Sequence, residues 1–356
     1  MTAEPLILSV LRNPSCIGSF SLLQWDLLIR QARHSNLLAR LAATLDTPGL
    51  RQQTPTQPRQ HLEWAATAAH RHMQAVHAEV VHIRKALVGL PFILLKGAAY
   101  TMAALPHAAG RLFSDIDILV EKGSIDQAEH ELMVHGWMAT HHDAYDQRYY
   151  RDWMHEIPPL QHIRRQSVID VHHAILPLTM RVHPDSRKLI GDAVAVSGQT
   201  ELMVLSPIDM LLHSAAHLFY EGELPHGLRD LVDLDAMLRD FGAAPAFWEN
   251  LVGRAAELEL SRCLFYALRY SRMMLGTPVP EPTMIEAEIG GPMSMVLPMM
   301  DAMYRRALLP DHDSCRDRYT GTARKALYIR ANWLRMPPVL LARHLLHKAF
   351  VSKKDA

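Results

Sequence analysis

The segment Ser114-Asp115-Ile116-Asp117-Ile118-Leu119-Val120 constrains this chain more than any other stretch. Ile116, Ile118 and Val120 alternate with Asp115, Asp117 and Leu119, which is the two-residue period of a β-strand. Side chains two apart on a strand project to the same face, so Asp115 and Asp117 present their carboxylates side by side. Like charges so placed cost free energy unless a cation neutralises them. Mg²⁺ suits such a pair, because it prefers hard oxygen ligands and keeps positions open for substrate phosphates. A bare Asp-x-Asp fits a solvated strand end as well, so the neighbouring residues must decide.

Upstream, Phe92-Ile-Leu-Leu95 lies between Pro91 and Gly97 and reads as a short buried strand. It runs through Lys96-Gly97 into a helix predicted over Ala98–Leu105, a turn that aims backbone N–H groups at a phosphate. Downstream, Ile169-Asp170-Val171 puts a third carboxylate inside a strand predicted over Val168–Ile175. An acid with apolar neighbours is costly to bury alone. If its strand pairs with that of Asp115, three acids converge on one or two metal ions. Such a site clamps the attacking and leaving oxygens of an in-line displacement at phosphorus. His172 falls on the same face as Asp170. It is a candidate to orient a carboxylate or touch an acceptor, and a half-exposed sheet histidine explains it too.

The rest of the chain is mostly helical in pattern. Apolar residues recur at helical spacing over Leu22–Leu45, and His61–Leu90 reads as one long helix stopped by Gly89 and Pro91. Ser124–His135 is a helix with Gly136 as its C-cap. Tyr145–His162 is aromatic and irregular, with a strand broken at Pro158-Pro159. A short strand falls at Glu201–Leu205. From Ser206, a cap followed by Pro207, helices are predicted through Tyr220 and at Leu228–Asp240, Phe247–Glu257, Ser261–Leu275, Met293–Leu308 and Thr322–Ala349. Within the fourth of these five, Pro298 predicts a kink or a later start. The expected fold class is α+β. N-terminal helices (1–90) precede a small mixed-sheet core (91–205) and an all-helical C-terminal lobe (206–356).

Leu94-Leu-Lys-Gly97, Arg111, Ser114-Asp-Ile-Asp-Ile-Leu-Val120 and Ile169-Asp-Val-His-His173 resemble the uncharacterised bacterial nucleotidyltransferase family of the DNA polymerase beta-type superfamily. His213-Ser-Ala-Ala-His217, Arg229-Asp230 and Asp233-Leu234 are similar to that family's helical region, so the resemblance spans roughly residues 60 to 240. Two features depart from the wider superfamily: Gly97-Ala98 replaces its Gly-Ser or Gly-Gly, and the gap to Asp115 is long. The resemblance implies transfer of a nucleoside monophosphate from a triphosphate to an acceptor hydroxyl, releasing pyrophosphate. It implies that Asp115 and Asp117 ligate Mg²⁺ and that Asp170 completes a second metal site and helps deprotonate the acceptor. Two Mg²⁺ ions are expected, with Mn²⁺ as a substitute. Gly97 would let the backbone approach the phosphates, with Ser114 or Lys96 in contact. Arg111 would offset charge on pyrophosphate, since a guanidinium fork suits phosphate oxygens. The alternatives are a loop salt bridge for Arg111 and, for Lys96, a strand-end charge reaching solvent.

Composition narrows the partners. Lys+Arg and Asp+Glu both number 37 in 356 residues, so no global field draws nucleic acid. A small-molecule, peptide or protein acceptor is therefore favoured over long nucleic acid, and an RNA end, which needs only a local patch, stays open. Three scattered cysteines without a CxxC pair indicate neither a disulfide framework nor a thiolate zinc site and fit a reducing cytoplasm. The N-terminus shows no leader pattern, and no run is long enough to span a membrane. The expectation is a soluble, cytoplasmic protein. The 22 histidines are dispersed. His213 and His217 sit four apart on a predicted helix, but Ser214 stands where the zincin pattern needs Glu. They read as a packing face lining the cleft. His141-His142, His155 and His162 read as solvent-facing loop histidines, with a metal cluster as the alternative. The basic stretch from Arg324 to Lys354 reads as a packed terminal helix broken at Pro337-Pro338, with a membrane or partner contact as its alternative. The rival to catalysis is a pseudoenzyme that binds nucleotide or protein without turnover. In a third reading, a helical scaffold, the acids are incidental and lie more than about 10 Å apart, beyond any shared two-metal site.

Overall fold

The structure, a computed structural model, describes residues 4–46, 49–141, 143–222, 224–337 and 340. It opens with α1 (Leu6–Arg12), α2 (Leu22–His34), α3 (Leu38–Asp46) and the long α4 (Thr56–Ala86). Ser21 starts α2 with a reciprocal cap: its hydroxyl accepts from the Gln24 N–H, and the Gln24 side chain accepts from the Ser21 N–H. The helical pattern over Leu22–Leu45 is divided between α2 and α3, because Asn36 adopts φ +54°, a left-handed conformation that Asn tolerates and a helix cannot continue through. Helix α4 starts before His61, since Pro58 falls in its first turn, where no intrahelical donor is lost.

The middle of the chain supplies β1 (Ile93–Leu94), α5 (Lys96–Met102), β2 (Asp115–Leu119), α6 (Ile125–Val134), β3 (Trp137–Ala139), α7 (Ala144–Arg148), β4 (Leu160–His162), β5 (Val168–His172), α8 (Ser186–Gly191), β6 (Val194–Val196) and β7 (Gln199–Val204). The strands form one mixed sheet in the order β3-β4-β5-β2-β1-β7-β6. Strand β2 lies at its centre, antiparallel to β1 and parallel to β5. The register sets Asp117 opposite Asp170, so the two acids share a rung and a face. Strand β5 stops at His172 rather than Ile175. Strands β3 and β6, three residues each, carry too short a pattern to be read from sequence.

Helices α9 (Pro207–Tyr220), α10 (Gly227–Phe241), α11 (Pro245–Glu257), α12 (Ser261–Leu275), α13 (Glu281–Ala287), α14 (Leu297–Ala307) and α15 (Thr320–Arg335) follow. Ser206 caps α9 by accepting from the Asp209 N–H, with Pro207 in the first turn. Helix α14 begins beside Pro298 instead of bending at it. The short α13 was not anticipated. Arg330 and Arg335 of α15 donate to the carbonyls of Phe219 and Glu221, which holds this basic helix on α9 and its C-terminal end. The helix expected to continue to Ala349 lies, beyond Leu340, outside the described residues. The architecture is α+β, with helices before and after the sheet. No helix among the described residues is long and apolar enough to cross a membrane.

One buried carboxylate joins three parts of this architecture. Asp233 of α10 accepts from Arg111, in the loop before β2, at 2.6 Å and from Arg40 of α3 at 3.3 Å. Arg40 also donates to the His107 carbonyl. Gly110 allows the close approach: its φ is +74°, and a Cβ there would meet the backbone of Ala39. Removing the carboxylate from this triad leaves two guanidinium groups buried without their anion. Asp233→Ala is therefore expected to destabilise the fold by about 3–5 kcal/mol. Urea denaturation of both proteins measures it, and a loss below about 1 kcal/mol would show that the triad does not hold the parts together.

Candidate functional site

The site is built at the junction of β1 and β2. The Leu95 N–H donates to the Asp117 carbonyl at 2.9 Å, which extends the ladder one residue past β1. The chain then turns at Lys96, whose φ of +45° is left-handed and costs a β-carbon-bearing residue roughly 1–2 kcal/mol. Helix α5 begins there. The turn is held in part by the Lys96 ammonium, which lies 3.0 Å from Asp117 Oδ1. The strand-end charge therefore pairs inward and does not reach for solvent.

Asp117 Oδ1 is also 3.1 Å from His172 Nε2, so both contacts fall on one oxygen. Burial by itself would push this carboxyl up. The Lys96 ammonium and the His172 hydrogen bond outweigh that and hold it well below the usual carboxylate range. Asp170, on the same rung, has the opposite fate. Burial, then the charges of Asp117 and Glu156, push its carboxyl up to about 8. Its Oδ1 is buried and has no hydrogen-bond partner among the described residues. Asp115 is half-buried and accepts from the Ser114 hydroxyl at 3.3 Å. One oxygen from each of Asp115, Asp117 and Asp170 lies within 4.8 Å of the others. Incidental placement in a helical scaffold predicts a separation more than twice as large, and the structure excludes it.

Two cavities meet at this cluster, sharing Lys96, Asp115 and His217. One, of about 250 Å³, is lined on its other sides by Gly97, Ser114, Arg111, Arg229 and Asp230. The other, of about 320 Å³, is lined by Glu156, Asp170, His172, Glu221 and Arg335 with the apolar Met180. Arg111 reaches the first cavity already engaged. Its Nε is bound to Asp233, and its guanidinium lies 5.2 Å from the Tyr100 ring centre and 5.5 Å from that of Phe113. The salt-bridge alternative is thus the arrangement seen. Gly97 sits under the same group, where a Cβ would collide with Arg111 and Phe113, so packing alone already requires glycine.

Several groups escaped the sequence reading. His155 and His162 are buried instead of facing solvent. His162 Nδ1 accepts from the N–H groups of Arg164 and Arg165 and so closes the β4–β5 turn. His155 and Glu156 come beside His172, and Glu156 Oε2 approaches His172 Nδ1 to 3.4 Å. Burial lowers the His172 pKa, but the hydrogen bond to Asp117 and the charge of Glu156 leave it above the ordinary value. Glu221 is pushed up to about 7 by burial and pairs with His217 at 3.1 Å. The His217–Glu221 pair is four apart along α9 and so local, whereas His155 and Glu156 meet His172 only through the pairing beside β5, which no local pattern encodes. His213 is buried, and neither it nor His217 joins a metal-binding group among the described residues.

The chain belongs to a family described as uncharacterised nucleotidyltransferase, whose model matches residues 21–276. That match reaches well beyond the span of about 60 to 240 covered by the motifs, taking in α2, α3 and α12. No curated protein and no solved structure matches the chain.

The Asp170 shift has a consequence for stability. An unfolded Asp releases its proton near about 4, and the folded one keeps it to about 8. Between those values the folded chain binds the extra proton, so stability falls as pH rises, by up to about 1.4 kcal/mol per pH unit. In chelator, Asp170→Asn should remove this slope and be the more stable protein at pH 7.5 relative to pH 5. Urea midpoints at both pH values test it, and parallel slopes for the two proteins would refute the raised carboxyl.

Proposed function

We propose that this nucleotidyltransferase moves a nucleoside monophosphate from a nucleoside triphosphate to an acceptor hydroxyl, with Asp115, Asp117 and Asp170 as its catalytic acids. The observation that carries the reading is the convergence of three carboxylates, from two paired strands, to within 4.8 Å. The residues fit a divalent cation. All three donors are hard oxygens, and the orphaned Asp170 Oδ1 is a buried acceptor that such an ion would satisfy. On this reading Asp115 and Asp117 hold the Mg²⁺ that accompanies the triphosphate, Asp170 completes a second Mg²⁺ site, and Mn²⁺ can substitute. Bound there, the ions supply positive charge against that of the reacting phosphate.

The remaining work falls to the chain. The acceptor oxygen bonds to the α-phosphorus as the bond from that phosphorus to the bridging oxygen breaks, and pyrophosphate leaves with the electron pair. With a cation neutralising the cluster Asp170 would be ionised, and this carboxylate would take the acceptor proton. Lys96 and His172 fix Asp117 and act as positioning residues. The triphosphate occupies the cavity lined by Gly97, Ser114 and Arg229, and the acceptor occupies the one lined by Asp170 and Glu221. Residues 91–205 form the catalytic core, and the helices of 1–90 and 206–356 brace it. Balanced overall charge favours a small molecule, peptide or protein as acceptor over long nucleic acid.

A ligand that binds only the folded state raises the melting temperature. Melting with ATP, GTP, CTP and UTP, with and without Mg²⁺, is expected to show a shift for at least one nucleotide. The shift should need the metal and vanish in Asp115→Ala/Asp117→Ala. If millimolar nucleotide gives no metal-dependent shift, catalysis loses its support and a binding role without turnover becomes the better reading.

A further inference from the structure

Beside the aspartates lies a second cluster of different chemistry. His155, Glu156 and His172 each bring one donor atom to within 4.8 Å of the other two. The backbone holds them together. The segment carrying His155 and Glu156 runs antiparallel to the end of β5, with Glu156 opposite His172 and the Ile157 N–H donating to the Val171 carbonyl at 3.1 Å. His155 is 9% exposed and His172 only 2%.

Two buried nitrogens in this cluster, His155 Nδ1 and His172 Nδ1, have no hydrogen-bond partner among the described residues. For His172 the contact to Asp117 fixes the tautomer. An ionised carboxylate can only accept, so Nε2 carries the hydrogen, and in the neutral ring Nδ1 is then a lone pair. That lone pair faces Glu156 Oε2 at 3.4 Å. Two acceptors confronting each other in a buried place repel unless a proton or a cation lies between them. The His155 ring centre stands 5.1 Å from that of His172, and its Nδ1 is likewise buried without a partner among the described residues. A carboxylate gripping the far N–H of a histidine, while its near nitrogen converges with other donors, is the outer-shell arrangement of a metal-ligating imidazole.

We propose that His155, Glu156 and His172 form a zinc site, separate from the all-oxygen aspartate cluster and joined to it through the His172–Asp117 contact. Two imidazoles and a carboxylate are donors that Zn²⁺ takes readily and that Mg²⁺ does not favour. Three protein ligands leave a fourth position, which opens on the cavity of about 320 Å³. The site does not depend on nucleotidyl transfer, and zinc binding tests it whether or not the chain turns over.

The competing occupant of the gap is a proton on His172 Nδ1, which makes a metal-free bridge between Asp117 and Glu156. The deciding experiment uses the untagged full-length chain, stripped by chelator and titrated with Zn²⁺ against a chromophoric chelator in millimolar Mg²⁺ at pH 7.5. One equivalent of zinc is expected to bind with micromolar or tighter affinity to the native chain and to Asp170→Asn. His155→Ala and Glu156→Gln should each weaken it at least about tenfold, the low end of the loss seen even when only an outer-shell partner of a metal ligand is removed. Co²⁺ replacing zinc in the native chain should give the intense visible absorption of a low-coordinate nitrogen and oxygen site, a readout that needs no variant to fold. The proposal is overturned if native protein holds no zinc under these conditions, or if cobalt gives only the weak spectrum of an octahedral ion. Loss of zinc in Asp170→Asn with retention in a folded His155→Ala would also overturn it, by moving the ion to the aspartates.

Discussion

The mutual repulsion of the carboxylates at the centre of the sheet is the constraint on which the rest of this structure depends. Pairing β2 in parallel with β5 puts Asp117 and Asp170 on one rung with Asp115 beside them, Asp117 buried and the other two half-buried. The chain answers with one ammonium, from Lys96, and one imidazole, from His172, and both go to the same oxygen of Asp117. Asp117 is thereby kept ionised, while Asp170 is left to hold a proton. Two acids on one rung are driven to opposite protonation by what stands next to each. The strained turn at Lys96 belongs to the same answer, for it is the residue that both breaks the strand and supplies the ammonium.

A second charged centre fixes where the helices sit around that sheet. Asp233 engages Arg111 and Arg40 together and so draws α10 and α3 onto the loop that leads into β2. The consequence for the first cavity is direct. Arg111 lies against Tyr100 and Phe113 with its Nε committed, and this packing leaves space at Gly97 only for hydrogen. The residue that looks from sequence like a phosphate clamp is first a structural tie. Arg229, in the same wall, is the other guanidinium facing the cavity, held by its neighbour Asp230.

The sheet acids were legible because their signals are local. Alternation over Asp115–Val120 fixes the face, and an acid between Ile169 and Val171 is anomalous wherever it lies. The long helices were legible for the same reason, with Ser206-Pro207 and the glycine after Val134-His135 marking their ends. The misses share a cause as well. Strands β3 and β6 exist because neighbours offer them a ladder, and three residues show no period of their own. Asn36 divides a helical pattern by a backbone conformation that hydrophobic spacing does not encode. His155 and Glu156 meet His172, and Asp233 meets Arg40 and Arg111, only through tertiary pairing that no local pattern encodes.

The two clusters of donors differ in a way that bears on how one chain can sort two kinds of cation. The aspartate group offers only hard, anionic oxygens, and the neighbouring group offers mainly imidazole nitrogen, so each ion has a reason to choose its own place. His172 stands in both. Its Nε2 steadies Asp117, and its Nδ1 faces Glu156, so whatever occupies that second gap sets the charge with which the ring meets the Asp117 carboxylate. A proton there makes the ring cationic and pulls negative charge away from the aspartates. A metal there would leave the ring neutral but fixed in orientation, and Asp117 would keep more of its charge for the cation proposed at the aspartates. The occupant of the nitrogen site therefore tunes the oxygen site through a single imidazole.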